Sequence, residues 1–212
     1  MREPRVILVN GPAGSGKDAI GEIVARHNPN ARVVRFAEIL KLRTHALFGA
    51  VDTNGNVRPA NSFDPVKDQP NDIFFGLTPR AAYIKVSEQW LKPFAGPQIF
   101  GDLLLREMVH YDPPVTFVIT DSGFLCEALP IIEHFGVENC FRIHLSRPGK
   151  TFDGDSRSYW FTSGLRSACI NNNGTLDGLE QSLRLILPEL FPQLETFHEA
   201  SGCFGPHPGS DH

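Results

Sequence analysis

The chain has 212 residues, 41% of them hydrophobic, enough for one sizeable core with room for a small inserted subdomain. A net charge of -4 excludes a global basic field that would recruit nucleic acid, leaving only a local groove for that purpose. No apolar run approaches the roughly 18 residues of a membrane span, and Met1-Arg2-Glu3-Pro4-Arg5 leads into a short strand, so a cytoplasmic chain without a secretory leader or membrane partner is expected. Cys126, Cys140, Cys169 and Cys203 are scattered, without the close spacing of a metal site, and read as reduced, mostly buried thiols.

Strand-like runs alternate with helical patterns along the chain, which predicts a three-layer α/β domain: a parallel sheet of five strands with helices on both faces. The strands are expected at residues 5–10, 31–36, 115–120, 140–146 and 167–171. Helices are expected at 20–27, 37–48, 79–91, 100–110, 125–135 and 176–187. Thr78 and Pro79 suit the N-cap and first position of the third helix. Within it, Tyr83, Val86 and Trp90 fall on one helical face, so Trp90 is expected to be buried, with Glu88 off that face. Residues 49–76 turn polar and rich in Pro, Asn and Asp, the mark of a long functional loop or small insertion. One domain is expected over residues 1–198, with 49–112 as insertion and substrate-binding helices, 147–166 as a lid, and 199–212 as a disordered tail.

The chemistry starts at Gly11-Pro12-Ala13-Gly14-Ser15-Gly16-Lys17-Asp18, directly after the apolar run Val6-Ile7-Leu8-Val9. Glycines at 11, 14 and 16 let backbone N–H groups turn inward around phosphate oxygens, Lys17 adds a cation, and the next helix aims its positive end at the same anion. Where a P-loop normally has Ser or Thr after the lysine, this chain has Asp18, a candidate magnesium ligand whose other reading is an acid favoured in a helix's first turn. Residues just past each strand of a parallel sheet are the next candidates. Asp121 follows the third strand and either positions magnesium, takes a proton from an attacking hydroxyl, or caps the helix beginning near Phe124. After the fourth strand, Arg147 and Arg157 lie in a polar segment suited to closing over a transferring phosphate.

The order of these features resembles the deoxynucleoside monophosphate kinases of tailed bacteriophages. It comprises the Lys17-Asp18 loop, Phe36-Ala37-Glu38-Ile39-Leu40-Lys41, Thr78-Pro79-Arg80, Asp121, Arg147-Pro148-Gly149 and Asn171-Asn172-Asn173-Gly174-Thr175-Leu176-Asp177-Gly178-Leu179. The resemblance spans about residues 5–187 and implies a P-loop kinase fold with ATP and Mg2+ as co-substrates. It places Gly11 to Asp18 on the ATP phosphates and Asn172 and Asn173 near the adenine. Arg43 and Arg80 fall on the acceptor side with Phe36, and Lys17 and a lid arginine stabilise the transferred group; Glu88, where the chain departs from its relatives, either contacts substrate or is a solvated glutamate. Asp18 and Asp121 together suggest two carboxylates around one magnesium.

One departure bears on the substrate. Relatives tend to carry an arginine shortly after the third-strand aspartate, where this chain has Ser122-Gly123-Phe124. A phosphate acceptor needs cations, whereas a hydroxyl acceptor benefits from a carboxylate base. Two acceptors therefore stand: a free deoxynucleoside monophosphate, or the hydroxymethyl group of 5-hydroxymethyluridine in DNA, with Phe74, Phe75, Arg58 and Lys67 as a strand-binding groove. A non-catalytic nucleotide-binding protein is the third reading. Nothing in the sequence indicates an oligomer.

Overall fold

The computed structural model describes residues 5–112 and 114–190. The expected disordered tail at 199–212 and Cys203 lie outside the described residues. Five parallel strands form one sheet in the order β2-β3-β1-β4-β5. They are β1 (Val6–Asn10), β2 (Ala31–Val34), β3 (Thr116–Ile119), β4 (Cys140–Ser146) and β5 (Arg166–Asn171). Among the described residues seven α-helices connect and cover them: α1 (Lys17–His27), α2 (Phe36–Leu47), α3 (Pro79–Ile84), α4 (Lys92–Ala95), α5 (Ile99–Met108), α6 (Leu125–Phe135) and α7 (Leu176–Leu190).

The period of two in β1 builds both faces of the core. Val6 and Leu8 join Phe117 and Ile119 under α2, α5 and α6, while Ile7 and Val9 join Val118, Phe141 and Ile143 under α1 and α7. Register fixes this division: Val6 pairs with Phe117 on one side and Cys140 on the other, so all three central strands present like faces together. β1 is the middle strand, and the connections that leave it and its neighbour β3 run in opposite directions, from β1 to β2 and from β3 to β4. The crevice outside its carboxyl end is where such sheets place ligands.

Two expectations are corrected here. The strand-binding groove is the first: residues 49–76, read as a long loop or a small insertion, pack as the insertion, with Phe63, Phe74 and Ala50 buried beside Tyr83 and His45. His45 bonds Arg58 O at 2.9 Å through Nδ1 and meets Tyr83 Oη at 2.8 Å through Nε2. Phe74 is thereby consumed by a core, and Arg58 Nε is spent on Val51 O at 2.9 Å; of the suggested groove Phe75 and Lys67 stand out into solvent.

Trp90 is the second correction, at 52% exposure. Residues Lys85–Leu91 wind as a π-helix, shown by the Lys92 N–H reaching back five residues to Ser87 O. A wider turn rotates each later side chain less than an α-helix would, so Trp90 lags out of the face that Tyr83 and Val86 bury. π-turns concentrate at functional sites, and this one lines the cavity described next. Among the thiols, Cys140 is buried, Cys126 half-buried and Cys169 exposed on the edge strand β5.

Candidate active site

The glycine-rich loop runs from the end of β1 into α1. Gly14 and Gly16 have φ of 72° and 103°, a left-handed backbone that side chains rarely adopt and that turns successive N–H groups into a concave anion nest. Crowding fixes the glycine at 11, where a Cβ would stand 2.4 Å from Leu145 O. Lys17 Nζ donates to Pro12 O at 2.7 Å, closing over the loop, and its proton affinity is lowered first by burial and then by the Arg157 guanidinium. Ser15 Oγ is buried with no partner, an acceptor-donor facing a loop shaped for phosphate oxygens.

Two flanking segments hold this loop. Asn172, almost fully buried, donates its Nδ2 to Ser15 O at 2.8 Å and accepts at Oδ1 from Gly174 N–H at 3.3 Å. Its amide is thus committed to the loop backbone and the following turn, a positioning role distinct from the adenine contact the resemblance implies. Asn173 is exposed beside it. From the other side Arg147 donates to Gly14 O at 3.3 Å, and the Lys150 side chain packs against Gly14.

Beyond the ends of β1 and β3 lies a cavity of about 360 Å³. Phe36, Leu40, Phe100 and Phe124 give it apolar walls; Arg80, Lys92, Arg157, Asp121, Glu88 and Glu127 give it charge. Phe36, Arg80 and Glu88, expected on the acceptor side, line this one cavity together. Arg43 is not: it lies farther along α2 and pairs with Glu107 of α5 at 3.2 Å. Arg80 is held by Asp68 at 2.6 Å, and Lys92 by Glu88 at 2.7 Å.

Asp121 behaves differently from either capping or ligation as expected. Its Oδ1 accepts from Phe36 N–H at 2.9 Å and its Oδ2 from Ala37 N–H at 2.8 Å, so it caps α2, a helix distant in sequence, and not the one near Phe124. Burial raises its carboxyl above the ordinary range, against the lowering effect of those two N–H donors. Asp18 is well exposed, accepting from Arg35 Nη2 at 2.9 Å and Thr120 Oγ1 at 3.2 Å. The two carboxylates thus serve different partners, and among the described residues no cluster of three or more His, Cys, Asp or Glu could hold a metal ion. Asp18 still fits magnesium, which needs only one or two protein carboxylates when phosphates and water complete its shell. Asp121, with both oxygens engaged, fits direct ligation poorly.

The most informative placement is Arg157. A Cβ on Gly123 would lie 2.4 Å from its Cδ, so the side chain of Arg157, from the segment expected as a lid, occupies the space over Gly123, beside Asp121. Asp155 grips that guanidinium, with Nε at 2.8 Å from Oδ1, and keeps it charged. The strap that follows is anchored rather than free. Asn10 Nδ2 donates to Ser158 O at 3.1 Å, Tyr159 Oη to Leu145 O at 3.0 Å, and Trp160 Nε1 to Ser122 O at 2.9 Å.

Glu127, Lys92 and Tyr83 were not singled out in the sequence. A lone first-turn carboxylate in an otherwise apolar run, Leu125-Cys126-Glu127-Ala128-Leu129, was the available signal. Its burial depends on Gly101, where α5 approaches so closely that a Cβ would stand 2.1 Å from Glu127 O.

No family model matches the chain, and no curated protein matches it. Among solved structures it is similar to an unliganded sugar kinase from Janibacter sp. HTCC2649, with a TM-score of 0.43 and 12% sequence identity, covering 90% of this chain and 98% of that one. A likeness at that level carries nothing about substrate. Among the described residues, no helix is long and apolar enough to cross a membrane.

Proposed function

We propose that this chain is an ATP-dependent phosphotransferase whose acceptor is a deoxynucleotide, with a free deoxynucleoside monophosphate of phage DNA-precursor metabolism as the first reading. One observation carries it: Asp121 and Arg157 line the acceptor cavity, and Ser122, next to Asp121, donates its N–H to Val9 O at 3.2 Å and accepts from Asn10 Nδ2 at 2.8 Å, at the foot of the glycine-rich loop. The cavity is therefore tied to the strand end from which the donor loop springs. In transfer, the bond between the γ-phosphorus and the oxygen bridging it to the β-phosphate breaks, ADP leaves with that electron pair, and an acceptor oxygen forms the new bond. Lys17 and Arg157 face the charge that spreads over the transferring group, and Arg147 and Lys150 sit over the loop holding the donor. Asp18 would hold magnesium, which when bound neutralises charge on the donor phosphates. Arg80 supplies a cation for an acceptor phosphate.

A second reading is favoured by Asp121. A carboxylate in the acceptor cavity, with its proton affinity raised by burial, suits taking the proton of an attacking hydroxyl, as transfer to 5-hydroxymethyluridine in DNA requires. The filled space at Gly123 weakens the contrast between the two readings, since the cation is present for either acceptor. The test is to incubate the protein with γ-labelled ATP and magnesium, offering the four deoxynucleoside monophosphates and duplex DNA containing 5-hydroxymethyluridine in parallel. Label on a monophosphate is expected; label on DNA alone selects the second reading. Label on neither leaves a nucleotide-binding protein without transferase activity.

A further inference from the structure

Glu127 is the cavity's unexplained residue. Its side chain is 7% exposed, it lines the cavity, and among the described residues no donor lies within hydrogen-bond distance of it. Its nearest cation, Lys92 Nζ, stands 4.0 Å from Oε1, too far for a bond, while bonding Glu88 at 2.7 Å and lying 4.9 Å from the centre of the Phe124 ring. A buried carboxyl with unused oxygens is costly unless something brings a donor to it. The surrounding walls are aromatic, from Phe36, Phe100 and Phe124. An acceptor and a donor held side by side but apart, between flat apolar faces, are matched by a planar ring whose adjacent edge atoms offer the reverse pattern.

We infer that Glu127 and Lys92 read the lactam edge of a nucleobase, Glu127 accepting the ring N–H and Lys92 donating to the neighbouring carbonyl oxygen. This rests on the reading of the cavity as the acceptor site. Each bond spans about 2.9 Å, so two atoms 4.0 Å apart can flank adjacent positions of one edge. Thymine, uracil and guanine carry that edge. Cytosine and adenine present an amine beside an unprotonated ring nitrogen, which sets acceptor against acceptor at Glu127 and donor against donor at Lys92. Burial raises the Glu127 carboxyl to about 7, and an N–H donor favours its ionised form.

Binding by calorimetry, without ATP, tests this apart from transfer. The ligands are the four deoxynucleoside monophosphates, N3-methylthymidine monophosphate, and single-stranded oligonucleotides carrying 5-hydroxymethyluracil or 5-hydroxymethylcytosine. Thymidine and deoxyguanosine monophosphates, or the hydroxymethyluracil strand if the base is read within DNA, are expected to bind about 30-fold more tightly than their cytosine and adenine counterparts. N3 methylation is expected to cost as much. In Glu127→Gln, whose amide can turn to donate, the thymine-to-cytosine ratio should fall to about 3 or less, and Lys92→Met should lose the same discrimination. Equal binding of all bases, undiminished binding of the N3-methyl compound, or an unchanged ratio in Glu127→Gln would overturn the inference while leaving phosphoryl transfer intact. No binding of any ligand overturns both it and the acceptor-site reading.

Discussion

Glu127 offers a prediction about stability that is independent of any substrate. Burial moves its carboxyl from an ordinary 4.5 to about 7, opposed by Lys92 and reinforced by the negative charges of Asp121 and Glu88, with Arg157 also facing it. A raised folded-state value means that the native protein holds this proton more tightly than the unfolded chain. Between 4.5 and about 7 the native state therefore binds more protons, and stability falls as pH rises through that window. At about 1.4 kcal/mol per tenfold change in proton affinity, the penalty above the window is about 3 kcal/mol and has nearly vanished by pH ~4. Glu127→Gln mimics the protonated side chain and should remove it. Urea unfolding of the variant and the parent protein is expected to show the variant more stable by about 2–3 kcal/mol at pH ~8, by under about 1 kcal/mol at pH ~5, and with unchanged m-values. A difference that stays constant across this range, or a variant less stable at pH ~8, would refute the account of Glu127 as a carboxyl forced into an apolar wall.

Lys17→Ala should abolish transfer while circular dichroism and the urea midpoint stay near those of the parent, because among the described residues the Lys17 ammonium hydrogen-bonds only Pro12 O. Gly123→Ala is expected to displace Arg157, whose Cδ stands 2.4 Å from the new methyl, lowering kcat by about 10–1000-fold with a smaller change in the KM for ATP; an unaltered kcat would count Arg157 out of catalysis. Asn172→Ala removes the buried amide from Ser15 O, so the KM for ATP should rise about 10-fold and stability fall by about 1–2 kcal/mol; adenine specificity should not change. Asp121→Asn leaves one N–H of α2 without an acceptor and should destabilise by about 1–2 kcal/mol. Its kcat should drop over about 100-fold for a hydroxyl acceptor and far less for a phosphate acceptor, measured in the two labelling arms.

Much of the scaffold was legible in the sequence, because its signals are local. The unbroken apolar run Val6-Ile7-Leu8-Val9 placed β1, glycines at 14 and 16 marked a backbone that must turn left-handed, and Thr78 with Pro79 marked the start of α3, where Thr78 Oγ1 accepts from Ala81 N–H at 3.1 Å. These properties belong to a residue and its immediate neighbours. The site depended on encounters between residues far apart in the chain, which no local pattern encodes. Asp121 turned out to cap α2, 85 residues away from it at Phe36; Arg157 came to fill the space left by Gly123; Arg43 was drawn to Glu107. Trp90 failed for a related reason, since a π-turn changes the helical period that the sequence argument assumed constant. The glycine-rich loop and the places of the strands along the chain were thus determined by the sequence alone. Which charges meet at the cavity was decided only when the sheet brought the ends of β1, β3 and β4 side by side.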